Sequence, residues 1–231
     1  MTDPEALKRA AAKEAVKSVG DGEVIGIGSG TTIKHFIAEL AGRIKRETLR
    51  ILAVPTSYDT LMLASDCGVK LTTLEEHPNL SKCFDGADKV DRDLNMIKGG
   101  GGCHTREKIV AVASEKVCIL VDNSKVVDRI TGDSPIPVEV IPFSYKLVSR
   151  KLSEVGGTLK LRYAGSSKMG PVIGDNGGFI GDVVFQKKNE LSYLDNLLNS
   201  TPGIIEHGLF LKIADLVYVA HENRVELLKR R

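Results

Sequence analysis

Apolar residues in the first half of the chain fall into short runs of two alternating kinds. From Glu5 to Val19 an Ala/Leu/Lys-rich run predicts a helix, with Pro4 near its first turn. Val24–Ile27 is a short β-branched strand candidate. After it, Ile33, Phe36, Ile37, Leu40 and Ala41 share one face of a helix that ends near Gly42. The pattern then predicts a strand at Ile51–Val54, a helix through Leu61–Ala64 and a strand at Val69–Leu74. Strands at Lys82–Phe84 and Cys118–Val121 flank a glycine run and a further helix. Short apolar strands alternating with amphipathic helices predict a parallel sheet covered on both faces.

The pattern changes at "GDSPIPVEVIP" (Gly132–Pro142), where prolines cluster. Beyond it come strand Val138–Ile141, helix Ser144–Val155, strands Thr158–Tyr163 and Phe179–Phe185, helix Tyr193–Leu198 and strand Gly203–Glu206. Asn176-Gly177, a hairpin signal, lies between the two middle strands. The order β-α-β-β-α-β is the ferredoxin-like arrangement, and a last strand, Leu216–Ala220, is expected to return to the first sheet. The expected fold is therefore α/β: a Rossmann-like parallel-sheet catalytic domain, residues 1–130 completed by 207–231, with a smaller inserted ferredoxin-like α+β domain at 131–206. The inserted domain would serve as a lid or oligomerisation unit.

Composition narrows the class. The 231 residues are 42% hydrophobic and 27% charged, ordinary values for a globular protein. With 32 basic and 30 acidic side chains the net charge is +2, which argues against a nucleic-acid or anionic-membrane partner. Cys67, Cys83, Cys103 and Cys118 have no CxxC spacing and read as free thiols of a reducing compartment. The first residues mix acids and bases where a signal peptide needs an apolar core, and no apolar run reaches the ~20 residues of a membrane span. A cytoplasmic protein is expected.

Three stretches carry candidate chemistry. In "GIGSGTT" (Gly26–Thr32) a strand, a glycine turn and a helix start converge on one point, a ready anion site for Ser29, Gly30, Thr31 and Thr32. It matches neither the dinucleotide fingerprint nor a P-loop, and a tight turn with a threonine N-cap would give the same letters. In "FDGADKVD", Asp85 and Asp88 fall at the carboxyl end of a strand, where open α/β sheets bind ligands. They could hold sugar hydroxyls or Mg²⁺, or form an Asx-turn, while Asp91 and Asp93 read as solvated. In "IKGGGGCHTREK", Lys98 precedes four glycines that let backbone approach a ligand and present N–H donors. Thr105 would cap the next helix, whose core face would include Ile109, Val112 and Ala113. Glu107 falls in its first turn, where an acid also simply complements the helix dipole; an exposed glutamate there would be ionised.

The five histidines (His35, His77, His104, His207 and His221) lack metal-site spacing and read as surface or loop residues. A carboxylate base and a lysine beside a small phosphate cup suit proton abstraction next to a carbonyl, without metal or cofactor. That is the chemistry of an aldose–ketose isomerase.

"GIGSGTT", "DGAD", "MIKGGGG", "TREKIVA" and "DNSK", in this order and spacing, closely resemble ribose-5-phosphate isomerase of the A type, across essentially the whole chain. The resemblance implies interconversion of D-ribose 5-phosphate and D-ribulose 5-phosphate in the non-oxidative pentose phosphate pathway, by a homodimer or homotetramer. It implies Glu107 as proton shuttle, with Lys98 and Asp85 assisting ring opening and the sugar oxygens. Gly86, Ala87, Asp88, Gly99, Gly100 and Gly101 would hold the sugar, and Ser29–Thr32 the phosphate, with Lys125 and Lys8. Three letters depart from the family's usual pattern: Lys89 for an acid, His104 for an apolar residue and Ser29 for threonine. A sugar-phosphate-sensing regulator, a hexosamine-phosphate deaminase and a Mg²⁺-dependent phosphatase using Asp85 and Asp88 remain rival readings.

Overall fold

The structure is a computed structural model that describes residues 3–230. The amino-terminal part runs α1 (Pro4–Ala15), β1 (Val24–Ile27), α2 (Thr31–Glu47), β2 (Leu52–Pro55), α3 (Tyr58–Asp66), β3 (Lys82–Asp85), β4 (Lys89–Val90), β5 (Met96–Ile97), α4 (His104–Val112) and β6 (Val117–Asp122). It continues with β7 (Ile136–Val140), α5 (Tyr145–Glu154), β8 (Gly157–Leu161), β9 (Phe179–Phe185), α6 (Leu191–Ser200) and β10 (Ile204–His207). The chain closes with β11 (Leu209–Phe210), β12 (Leu216–His221) and β13 (Arg224–Lys229).

The main sheet has the order β13-β12-β6-β3-β1-β2 and is parallel except for β13. Strand β6 shows why it is buried on both faces. Cys118 and Leu120 join the core beneath α1 and α2, while Val117, Ile119 and Val121 join a second cluster on the other face. Successive side chains of a strand point to opposite faces, so both sides need apolar cover. A second sheet, β10-β7-β9-β8, is antiparallel throughout and packs α5 and α6 through Val148, Leu152, Leu194 and Leu198. The fold is thus α/β, a Rossmann-like parallel sheet with a smaller inserted ferredoxin-like α+β unit.

The expected elements differ from the observed ones chiefly in four places. Helix α2 runs on to Glu47, past the end expected near Gly42. Val69–Leu74 is no strand. Lys70 and Thr72 bond Ala53 on either side, and the Thr72 hydroxyl then turns to Glu76 (2.6 Å), leading the chain away from the sheet. The small sheet β11-β5-β4 had no recognisable pattern, because two-residue strands are too short to show a period, and in the antiparallel edge strand β13 (RVELLK) the adjacent Leu227 and Leu228 break the alternation. On α4, Ile109 and Val112 are exposed; His104, Thr105, Glu107, Val110 and Ala111 are the buried face.

Candidate active site

The loops after β1, β3 and β6, at one end of the parallel sheet, and the loop after β5 of the small sheet enclose an open cavity of about 190 Å³. Its wall includes Lys8, Ser29, Gly30, Thr31, Thr32, Gly86, Ala87, Asp88, Lys98, Gly99, Gly100, Gly101, Glu107, Asp122 and Lys125. Every residue expected to bind substrate or carry the chemistry is therefore brought to one place, with Asp85 just beneath the wall.

Asp85 ends β3 and is 2% exposed. Its Oδ1 accepts from the backbone N–H of Gly86 (2.7 Å) and of Ser29 (3.2 Å). A Cβ on Gly28 would fall 1.9 Å from that same oxygen, so only glycine lets the β1 loop close over the carboxylate. Across the cavity Asp88 Oδ2 accepts from Gly100 N–H (2.7 Å). The glycine run is no linker: Gly99 has φ +105°, a Cβ there would meet His104 Nδ1 at 2.7 Å, and Arg162 donates to the carbonyls of Gly99 (2.7 Å) and Gly100 (2.9 Å).

Lys98 follows β5. Its Nζ donates to the Gly86 carbonyl (2.6 Å) and lies 2.9 Å from Asp85 Oδ2 and 3.1 Å from Glu107 Oε2. Both contacts are within ion-pair distance, and among the described residues neither oxygen meets a donor other than Lys98. One ammonium therefore serves two buried carboxylates. Burial, then the charge of Asp85, pushes Glu107 up to about 8 against the opposing pull of Lys98. Asp85 is raised too, by burial first, with Lys98 opposing. Burial alone would lower Lys98, but the two carboxylates outweigh it and hold its pKa above the usual lysine range. The expectation of an exposed, ionised glutamate is thus corrected: Glu107 is 5% exposed and strongly proton-binding.

At the other end of the cavity, α2 begins at Gly30 (φ +101°), an N-cap without a side chain, rather than at a capping threonine. Its first-turn N–H groups and the hydroxyl-bearing Thr31 and Thr32 border the cavity beside Lys8 and Lys125. Ser29 lines the wall differently. Its hydroxyl belongs to a cluster with Thr56 (2.9 Å), Ser57 (2.8 Å) and Thr60 (3.2 Å), and its N–H is taken by Asp85.

Several local expectations are overturned. Cys103, not Thr105, is the N-cap of α4, and it makes no side-chain cap. His104 and His207 are fully buried, not surface residues. Burial lowers them to about 4 and about 3 respectively, so both are neutral. Asp91 is 2% exposed and accepts from Asp93 N–H (3.0 Å), Asn95 N–H (2.9 Å) and Ile130 N–H (3.3 Å), while Asp93 is exposed. Sequence reasoning also missed Arg162, with no local signal, and Glu139. The signal for Glu139 was present: a lone charge inside the apolar "PVEVIP".

No three His, Cys, Asp or Glu side chains among the described residues are placed to hold a metal ion, and no helix among them is long and apolar enough to cross a membrane.

Residues 52–224 match the family Ribose 5-phosphate isomerase A (phosphoriboisomerase A). The ribose-5-phosphate isomerase A of Methanocaldococcus jannaschii is 47% identical over 98% of this chain and 99% of its own length. That of Methanothermobacter thermautotrophicus is 42% identical over 96% of this chain and 97% of its own. The solved ribose 5-phosphate isomerase A of Methanocaldococcus jannaschii superposes with a TM-score of 0.92 at 46% identity, over 98% of this chain and all (100%) of that one. A D-ribose-5-phosphate isomerase in complex with phospho-erythronic acid matches with a TM-score of 0.93 at 40% identity, covering 99% of this chain and 100% of that chain. Likeness of this extent in both sequence and fold means that the chain belongs to the ribose 5-phosphate isomerase A family.

Proposed function

We propose that the chain interconverts D-ribose 5-phosphate and D-ribulose 5-phosphate through an enediolate, with Glu107 carrying the proton. The observation behind this reading is the single ammonium of Lys98 set between Asp85 (2.9 Å) and Glu107 (3.1 Å), in a cavity whose far end is lined by Thr31, Thr32, Lys8 and Lys125. Those hydroxyls and lysines bind the phosphate, and Asp88 with the Gly99–Gly101 loop holds the sugar.

In the open-chain aldose, the Glu107 carboxylate takes the C2 proton. The C–H electron pair becomes the C1–C2 double bond, and the carbonyl pair moves onto O1, beside Lys98. Glu107 then returns its proton to C1 while the O2 proton moves to O1, so that a ketone forms at C2 and a hydroxyl at C1. Asp85 and Lys98 assist ring opening. A pKa near the working pH suits this task, because a base that holds its proton more tightly removes one from carbon more readily. Phospho-erythronic acid, bound by a relative, ends in a planar carboxylate that resembles the two oxygens of an enediolate.

The same reading makes residues 1–130 with 207–231 the catalytic unit and 131–206 a lid or oligomerisation unit, in a cytoplasmic homodimer or homotetramer. Light scattering of the purified chain tests the assembly. The activity is tested by adding ribose 5-phosphate to chelator-treated protein and following ribulose 5-phosphate. Full turnover is expected, and activity that returned only with Mg²⁺ or Mn²⁺ would sink the proton-transfer scheme.

A further inference from the structure

The hairpin signalled by Asn176-Gly177 has no part in the scheme above, yet it touches α4, the helix that carries Glu107, and the neighbouring α3. It leads into β9 and is closed by Gly174 N–H on the Gly178 carbonyl (2.8 Å) and Gly177 N–H on the Gly174 carbonyl (2.9 Å). On one side it meets Glu139, which is fully buried in the middle of β7. That carboxylate accepts from Gly178 N–H (3.0 Å), from Asn176 Nδ2 (3.2 Å) and from the Thr105 hydroxyl. The hairpin is moulded on it: a Cβ at Gly178 would fall 2.3 Å from Glu139 Cγ, and one at Gly174 would fall 2.9 Å from its Oε1.

On its other side the hairpin reaches α4 and α3. Arg106 donates to Asn176 Oδ1 (2.9 Å) and to the Asp175 carbonyl (2.9 Å), and Asp175 Oδ2 accepts from Tyr58 N–H (3.0 Å). The Arg106 guanidinium also lies over the Tyr58 ring, 4.7 Å from its centroid. Thr105 and Arg106 are the two residues immediately before Glu107.

Two features show why this matters for the base. Glu107 Oε2 meets only the Lys98 ammonium (3.1 Å), which it shares with Asp85, so its approach to that ammonium depends on the backbone that carries it. That backbone starts at Cys103, an N-cap without a side-chain bond, so the first turn of α4 is fixed from outside rather than by its own cap. The Asn176 amide supplies this only in one orientation, nitrogen toward Glu139 and oxygen toward Arg106.

We propose that Glu139 and Asn176 are positioning residues: the buried carboxylate orients the Asn176 amide and the Thr105 hydroxyl, and these pin the first turn of α4 so that Glu107 meets Lys98 and the substrate carbon. The proposal rests on Glu107 being the base.

The test uses Glu139→Gln, Asn176→Asp and the double variant, with Glu107→Gln assayed alongside. Asn176→Asp keeps shape but sets a second carboxylate against Glu139, and Glu139→Gln sets an amide against an amide. In the double variant the donor and acceptor are exchanged, and the Thr105 hydroxyl turns to accept from the amide introduced at position 139. Each single variant is expected to lose about tenfold in kcat, the scale of a small misplacement, with KM nearly unchanged. The acid limb of its kcat/KM profile, set by Glu107 among Asp85, Lys98 and Asp88, should move to lower pH as water reaches the carboxylate. The double variant should recover both. Folded single variants with wild-type kcat and an unmoved limb would overturn the proposal, as would a loss that the double variant fails to repair. Should Glu139→Gln not fold, Asn176→Asp, at an exposed turn, decides alone. An active Glu107→Gln would instead overturn the assignment of the base, whatever the hairpin variants do.

Discussion

Glu107 and Glu139 are both buried glutamates, 5% and 0% exposed, yet their surroundings are built in opposite ways. Glu139, in the ferredoxin-like sheet, accepts from a backbone N–H, an amide and a hydroxyl, so its lone pairs are used in holding neighbours in place. Glu107, at the carboxyl end of the parallel sheet, has for its buried oxygen only the one ammonium that it shares with Asp85. A buried carboxylate left short of donors binds its proton tightly. The lone pairs of Glu139 thus hold neighbours in place, while Glu107 is left able to bind a proton, as the proposed function requires.

The largest effect that tests this contrast is on turnover. Glu107→Gln preserves shape and removes the base, so kcat should fall by ~10²–10⁴, and exchange of the substrate C2 proton with solvent deuterium should vanish with it. Stability should move the other way. The folded protein holds the Glu107 proton up to about 8, whereas an unfolded glutamate releases it near 4.3. The stability associated with this group is therefore complete below about pH 4 and falls as pH rises toward 8, by at most about 1.4 kcal/mol per pH unit. Glutamine mimics the protonated form and avoids that loss. The variant should melt higher than wild type at pH 8, with the gap closing toward pH 5. An acid that merely complements the helix dipole predicts the reverse, a variant weaker by about 0.3–1 kcal/mol and nearly fully active.

The pH profile gives the next largest effect. With Glu107 pushed up to about 8, kcat/KM should drop close to tenfold for each pH unit below that value. A profile flat down to pH 5 would mean that water reaches Glu107 in the free protein.

The same contrast explains what the sequence could reveal. The β1–glycine–α2 turn, "DGAD" after β3 and the glycine run before α4 each sit at a strand end and follow local rules, so the cavity wall was legible. The charge state of Glu107 was not, because its burial depends on Asp85 and Lys98, which reach it from other elements of the fold. His104 and His207 were misread for the same reason: they are buried beside β10 and α4, partners distant in sequence. Val69–Leu74 failed differently. Its composition suits a strand, but Thr72 and Glu76 turn the chain away after one bridge. For Glu139, a charge amid buried apolar residues marked a buried polar contact but could not name Thr105 and Asn176 as the partners.

The smallest effect belongs to the far end of the cavity, where in the proposed scheme backbone and side chain share the phosphate. Ser29 is already committed, its hydroxyl to Thr56, Ser57 and Thr60 and its N–H to Asp85. The loop's free side-chain donors are then the hydroxyls of Thr31 and Thr32, alongside the first-turn N–H groups of α2. Thr31→Val keeps the shape and removes one hydroxyl, a loss of ~1–2 kcal/mol, so KM should rise from several-fold to roughly thirtyfold. The phosphate is bound alike in substrate and transition state, so kcat should stay put. Inorganic phosphate should inhibit the variant less strongly. Ser29→Ala should do the opposite, costing stability through the broken hydroxyl cluster while leaving KM nearly unchanged. If Thr31→Val bound inorganic phosphate normally and Ser29→Ala did not, the phosphate would be held by the hydroxyl cluster and not by the start of α2.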